Sequence, residues 1–507
     1  MITPLVASTR PDARAPLSPW SILTFVCVGQ FMVFIDVSIV NLALPSIQSS
    51  LHMSDVSLNY VVTAYGTVLG GFLMLGGRLA DTYGRRRTLQ AGFVVFASAS
   101  LLSGFAQNGT MLIASRGFQG LGSALIAPAA LSIVTNTFAE GPERNKALGV
   151  WGSLAGIASI IGVILGGVLA DGPGWEWIFW INVPIGLGAA VIAPRVVPES
   201  LGEERRSFDA AGAVTLTSGL LLLIFTLGEA TNVGWGAART IASLVGVAVL
   251  LGAFVVIETR VPAPIMPLTV FRRRTLRTAN LAAVLVFGTF SAMFFFASIF
   301  MQHVYGYSPL EAGLAYVPLA VSVAIGSGVA SGLMAKIAAR RILVTGLLVV
   351  VGGLLLLWRA PADGSYAADL LIPFLALGLG CGMCYVTLQI AAFVGVSDDE
   401  AGLGAGLINT SQEVGGALGL AVVATIAYSG MSAALAAAGD DPALIRAAQA
   451  AANHDAFLAA TCLASAALLL AGFLMPRPTR RIEPEPAVVP VADAVPTVTP
   501  VDATAPA

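Results

Sequence analysis

An all-α membrane protein of fourteen transmembrane helices is the fold class this sequence predicts, and three observations predict it. Of 507 residues, 57% are hydrophobic and only 11% are charged, against roughly 25% charged in a soluble domain. The mean hydropathy is +0.86, more apolar surface than a water-soluble fold of this length can hide, so part of the solvent is lipid. The arginines and lysines, finally, gather almost wholly in alternate segments between the apolar runs.

A helix needs about 20 apolar residues to cross the hydrocarbon core. The first run, 20–44, is too long for a signal-peptide core and has no small-residue cleavage pattern after it, so it stays as a span. It is followed by 59–79, 89–105, 111–138, 147–169 and 178–197, and then by 211–228 and 240–257. The last six are 279–300, 312–334, 342–357, 368–394, 403–428 and 456–475. With the N-terminus in the cytoplasm, all but four of the 26 basic residues fall on the cytoplasmic side. The exceptions are Arg116, inside a span, and Arg239, Arg359 and Arg446. An even span count with both termini cytoplasmic follows.

Gly77-Arg78-Leu79-Ala80-Asp81 through Arg85-Arg86 aligns with Gly332-Leu333-Met334-Ala335-Lys336 through Arg340-Arg341. Each copy follows the second span of a six-span unit once 211–228 and 240–257 are set aside as an insert. The chain therefore reads as a cytoplasmic segment 1–19, a six-helix bundle 20–197, an inserted helix pair with its linkers 198–278, and a second bundle 279–475. Paired bundles around a midplane site are a common transporter plan. The tail 476–507, with eight prolines in 32 residues, reads as disordered and cytoplasmic. The alanine-rich segment 429–455 reads as short surface helices.

Several chemistries find no support. The net charge of −2 predicts no nucleic-acid partner. Cys381 and Cys384 form a CxxC, but no histidine lies near it, and two small apolar residues on one helix face explain it better. His52, His303 and His454 match no metal-ligand spacing, so no metal site is expected. Neither lysine, Lys146 nor Lys336, sits in a GxxxxGK[ST] loop. With no enzyme signature and no cofactor implied, a proton gradient is the expected source of drive. One proton moving down 100 mV yields roughly 2.3 kcal/mol, enough for about a 50-fold solute gradient.

An ionisable residue inside a span costs roughly 2.5–3.5 kcal/mol on insertion scales, so each needs a reason. Asp36 lies in the first span and Arg116 in the fourth. Burial raises a carboxyl's pKa and a nearby cation lowers it. An aspartate whose solvation and arginine distance change between two conformations can load and release a proton. Asp36 is thus the candidate proton carrier and Arg116 its modulator; a fixed ion pair between two helices is the simpler alternative. Asn41, Gln119, Asn409 and Glu413 are the candidates for a substrate cavity, Glu413 as an attractor of cations, with snorkelling to the cytoplasmic surface as its alternative. The aromatic run Phe294-Phe295-Phe296, with Phe287 and Phe290, is expected mostly to pack or to face lipid.

These motifs resemble the major facilitator superfamily, and within it the fourteen-span drug:proton antiporters of the EmrB/QacA type, over residues 20 to 475. Gly77-Arg78-Leu79-Ala80-Asp81-Thr82-Tyr83-Gly84-Arg85-Arg86-Arg87 is similar to the loop motif GxLaDrxGrk after the second span. Leu112 through Gly122, with Arg116, Gln119 and Gly120, resembles the fourth-span motif lxxxRxxqGxg. Asp36 with Val40-Asn41-Leu42-Ala43-Leu44-Pro45 is similar to DxtivNvALP, and Trp175 through Gly186 to WRWiFxiNvPiG. The fifth-span antiporter motif departs at Val163, where proline is usual, between Gly162 and the pair Gly166-Gly167. Glu176 stands in place of an arginine.

The resemblance implies a major facilitator fold in a bacterial cytoplasmic membrane. It implies antiport of protons against small hydrophobic or cationic compounds by a monomer, with a periplasmic adaptor as a partner in a two-membrane cell. A physiological solute or a self-made antibiotic is the alternative cargo. Gly77, Asp81, Gly84, Arg85 and Arg86 would form a cytoplasmic gate, Asp81 capping the thirteenth span at its positive N-terminus. A further expectation is that the acidic run Asp398-Asp399-Glu400 latches onto Arg85, Arg86 and Arg87.

Overall fold

The computed structural model describes residues 18–200 and 209–475, apart from 263, 395, 397–399, 430 and 440. The tail, residues 1–17 and most of the acidic run lie outside that set, as do the side chain of Asn41 and the surroundings of Gly167.

The first group of helices is α1 (Pro19–Leu51), α2 (Asp55–Tyr83), α3 (Arg85–Gly104), α4 (Gly109–Thr137), α5 (Pro142–Asp171), α6 (Glu176–Trp180) and α7 (Asn182–Val196). Two more, α8 (Ala210–Val233) and α9 (Ala238–Glu258), form a hairpin. The second group is α10 (Arg274–Ile299), α11 (Pro309–Ala315), α12 (Val317–Met334), α13 (Ala339–Trp358), α14 (Leu371–Ala392), α15 (Ala401–Tyr428), α16 (Met431–Ala438) and α17 (Pro442–Leu474). Among the described residues, eleven helical segments are long and apolar enough to cross a membrane. The expected spans 89–105, 147–169 and 403–428 fall on α3, α5 and α15.

Local chemistry sets the helix ends. Ser18, Ser54, Asn108 and Asp209 each accept a backbone N–H in the first turn of the helix they precede, which satisfies a donor that lipid cannot. Ser308 and Glu311 close a reciprocal capping box on α11. Two expectations need correction. Of the segment 429–455 only α16 is a short separate helix: from Pro442 the chain runs into the last span as one 33-residue helix, because Pro442 and the Asp441 cap start it and no proline follows. The span 178–197 is broken into α6 and α7, whose junction lies at Ile181.

Within the first group, α2 packs on α4, α4 on α3, and α1 on α5. Within the second, α12 packs on α14, α10 on α15, and α13 and α10 on α17. The groups meet along two seams, α2 against α15 and α5 against α12. Helix α8 lies over the first seam, touching both α2 and α15, while α9 packs on α8 and leaves Val245 and Val249 exposed. The inserted hairpin is therefore a flank over the join. Gly70 and Gly71 let it approach: a Cβ there would meet Ile224 and Leu221 at 2.5 Å.

Small residues set the other spacings, since dispersion and close backbone approach replace the hydrophobic effect between helices in lipid. A Cβ on Gly419 of α15 would stand 2.2 Å from Gly288 Cα on α10. Gly419→Val is expected to cost about 1–3 kcal/mol by overpacking, seen as a lower melting temperature in detergent. Gly352→Ala, where nothing lies within 4 Å, is the control that should not melt earlier.

Candidate functional site

Asp36 is fully buried in the first helical group, and its carboxylate collects donors from two helices. Arg116 Nη1 of α4 donates to Oδ2 at 2.5 Å. Gln119 Nε2, one turn further along α4, donates to Oδ1 at 2.8 Å, and Asn182 Nδ2 of α7 donates to the same oxygen at 3.2 Å. Arg116 is also tied down elsewhere. Its Nε donates to the Val61 carbonyl of α2 at 3.3 Å and its Nη1 to Gln119 Oε1 at 2.8 Å. Its guanidinium lies over the Tyr65 ring, 4.3 Å from the centroid. Gln119 reaches α3 as well, donating to Ser100 Oγ at 2.7 Å.

Five helices thus converge on one ion pair. In a water-free interior each charge would be costly alone, and the pair is tolerated because its lone pairs and protons are matched. The i, i+3 spacing of Arg116 and Gln119 puts both on one face of α4. Asp36 is 0% exposed. The geometry corrects one expectation. Gln119, also 0% exposed, does not line a cavity: every polar atom it has is spent on Asp36, Arg116 and Ser100. Asn182 was not singled out from the sequence, although an amide inside the apolar stretch Ile178-Phe179-Trp180-Ile181 is the signal that marks it.

The second cluster lies on the α2–α15 seam. Asp81, at the end of α2, accepts from the backbone N–H groups of Gly402 (2.9 Å) and Leu403 (2.8 Å) in the first turn of α15. Arg85 Nη2 donates to the same carboxylate at 3.2 Å. Three donors and a positive helix end favour the anion there. The backbones touch beside it, since a Cβ on Gly77 would lie 2.2 Å from the Gly402 carbonyl oxygen. Gly84 sits at φ +106°, a conformation that favours glycine, and joins α2 to α3 so that Asp81 and Arg85 meet.

The latch from the acidic run is not what Arg86 and Arg87 engage. Both turn to Glu199, at 3.4 and 3.6 Å, and Glu400 pairs with Arg273 at 3.5 Å. Asp398 and Asp399 lie outside the described residues. The physical reason is proximity. Residues 197–200 follow α7 beside the start of α3, where Val197 accepts from Arg86 and the Ser200 carbonyl from the Arg85 N–H.

Glu413 is half-buried on α15, with its Cβ against Gly70 of α2. It therefore lies at the α2–α15 seam, where the two helical groups meet. It makes no hydrogen bond or ion pair among the described residues. Asn409, half-buried, is one turn earlier on the same helix. Phe287 faces inward, 5.8 Å from the Tyr385 ring, whereas Phe294 and Phe295 are exposed on the outer face. In α5, Gly162 lies against α1, where a Cβ would be 2.6 Å from Ser38 Cβ. With Val163 in place of proline the helix is uninterrupted from Pro142 to Asp171.

Two helical groups joined along two seams, with a buried ion pair in one and a charged clasp between them, define a polytopic membrane transporter. The chain belongs to the Major Facilitator Superfamily, whose family model matches residues 26–420. It is 35% identical over 445 residues to the puromycin resistance protein pur8 of Streptomyces alboniger, covering 86% of each chain. It is 37% identical over 416 residues to the cephamycin export protein CmcT of Amycolatopsis lactamdurans, covering 81% of this chain and 85% of that one. The fold is similar to that of the human organic anion transporter MFSD10, with a TM-score of 0.65 at 16% identity, over 89% of this chain and 99% of that one.

Proposed function

We propose that this chain exports small hydrophobic or cationic drugs from a bacterial cell across its cytoplasmic membrane in exchange for protons, rocking its two helical groups about a shared cavity. It does so as a fourteen-span monomer with both termini in the cytoplasm. The observation that carries the reading is the ion pair of Asp36 and Arg116, held by Gln119 and Asn182. A proton arriving on Asp36 removes the charge that retains Arg116 and converts a matched network into an unmatched one. The helices that hold it then have a reason to repack. Relatives named for resistance and export support the direction of transport. The name of the cephamycin exporter favours a second cargo, one particular antibiotic.

Everted membrane vesicles test the reading. An imposed proton gradient should drive accumulation of cationic dyes, and collapsing the gradient should release them; accumulation that ignores the gradient ends the proposal. Glu413, unpaired among the described residues and set at the α2–α15 seam, supplies the attraction for a cation. A cation about 4 Å from a carboxylate near a protein surface gains roughly 4 kcal/mol before desolvation. Glu413→Gln is therefore expected to lower accumulation of cationic dyes about ten-fold and to leave uncharged substrates within about two-fold. Equal loss for both classes would assign Glu413 to packing instead.

A further inference from the structure

The inserted hairpin is fixed to the first helical group at both of its ends. At the end near Asp81, Arg78 Nη2 of α2 donates to the Pro264 carbonyl, in the stretch that leaves α9, at 3.0 Å. Glu258, the last residue of α9, folds that stretch back by accepting from the Ile265 and Met266 N–H groups at 3.1 and 3.2 Å. At the other end, Tyr60 Oη of α2 donates to Glu229 Oε1 of α8 at 3.3 Å. Tyr60 stands about six turns before Asp81, roughly 30 Å along the helix axis. Between them α8 seats on Gly70 and Gly71, so the hairpin moves with α2.

The second group is reached from the turn of the hairpin. Trp235 Nε1 donates to Thr425 Oγ1, near the far end of α15, at 2.6 Å. Thr425 spends its own proton on the Ala421 carbonyl at 2.7 Å, which leaves a lone pair for the indole. The turn holds Trp235 in place: Gly234 ends α8 at φ +96°, and its carbonyl accepts from Ala237 N–H and Thr240 Oγ1. A tryptophan at the end of a span commonly anchors at the headgroup level, but the N–H of this one is spent on α15. The close glycine contacts of α2 with α15, at Gly70, Gly77 and Gly406, all lie in the half of the seam near Asp81. Nearer Tyr60, a Cβ on Gly66 would meet nothing within 4 Å.

We infer that the inserted hairpin is a strap between the two helical groups, with Trp235 and Thr425 as positioning residues that set how far apart the ends of α2 and α15 remote from Asp81 can move. The hairpin extends α2 sideways and reaches α15 through Trp235, so wider separation at that end has to break this bond. The Asp81 clasp and the Trp235 bond lie at opposite ends of one seam, and a motion that opens one end strains the bond at that end alone. The inference rests on the proposed rocking of the two groups and is independent of proton drive and of cargo.

Spin labels at Gln107 and Asp363, exposed in the α3–α4 and α13–α14 turns at the far end of the two groups, test it by pulsed electron resonance on the full-length protein in detergent. Trp235→Phe keeps a ring and removes the donor, while Thr425→Val removes the acceptor. Each should raise the population of a longer distance, relative to the wild-type one, about five-fold, as loss of one neutral hydrogen bond allows. The double variant should match either single one, because all three remove the same bond. A distribution unchanged in Thr425→Val, or shifts that add in the double variant, overturns the strap. Should Trp235→Phe fail to fold, Thr425→Val decides alone. Labels at Tyr83 and Val394, compared between the wild type and Asp81→Ala, read the rocking itself at the other end of the seam. A strap that fails and a seam that does not rock therefore give different results.

Discussion

Asp36→Asn is expected to reduce proton-driven efflux at least about 100-fold while the protein still reaches the membrane. The asparagine keeps the shape of the carboxylate and an acceptor for Gln119 Nε2, but it carries no charge and no exchangeable site for a transported proton. The same change leaves Arg116 buried, 1% exposed, without its counter-ion. Breaking a buried pair on one side typically costs about 3–5 kcal/mol. A drop in melting temperature should therefore accompany the loss of efflux, and the single variant alone does not separate a carrier from a lock.

The double variant Asp36→Asn/Arg116→Gln does separate them. Removing both charges is often neutral to stability where one removal is costly. The melting temperature should return most of the way to that of the wild type, with efflux still absent, because no titrating group remains in the network. If the pair were only a lock between α1 and α4, restoring stability would restore transport as well. Efflux recovered to within about ten-fold of wild type in the double variant would therefore remove Asp36 from the proton path.

Much of this was legible from residue type and spacing. Asp36 and Arg116 stand out because charges in apolar runs are expensive, and Asp81 because its motif ends a helix at a basic turn. Where reading along the chain failed, the missing information was three-dimensional. Gln119 has the polarity of a cavity residue, and only the approach of α1 and α3 shows that its atoms are already spent. Arg86 and Arg87 pair with Glu199 because α7 returns the chain to the start of α3. Asn182 lies 146 positions from Asp36, a pairing no local pattern reports. The place of α8 over the α2–α15 seam depends on Gly70 and Gly71, which from sequence alone are two small residues among many.

The other large effect is expected at the clasp, where Asp81→Ala should shift the resting conformation. Two short hydrogen bonds run from α15 to this carboxylate, and hydrogen bonds to a charged group contribute about 1.5–3 kcal/mol each. They join different helical groups, so they exist only while this end of the α2–α15 seam is closed. Their loss destabilises the closed arrangement alone, whereas the contacts inside each group persist in both arrangements. Even about 3 kcal/mol of that difference would change the ratio of closed to open molecules more than 100-fold. Spin labels at Tyr83 and Val394, both exposed and on opposite groups, report the change by pulsed electron resonance. The wild type should give one short distance, and Asp81→Ala a second, longer one as the main population. Asp81→Asn keeps one acceptor oxygen but loses the charge that meets the α15 N-terminus and Arg85, and it should fall between the two. An unchanged distance distribution in Asp81→Ala would mean that the seam is held by the Gly77–Gly402 backbone contact and that Asp81 merely caps a helix already in place.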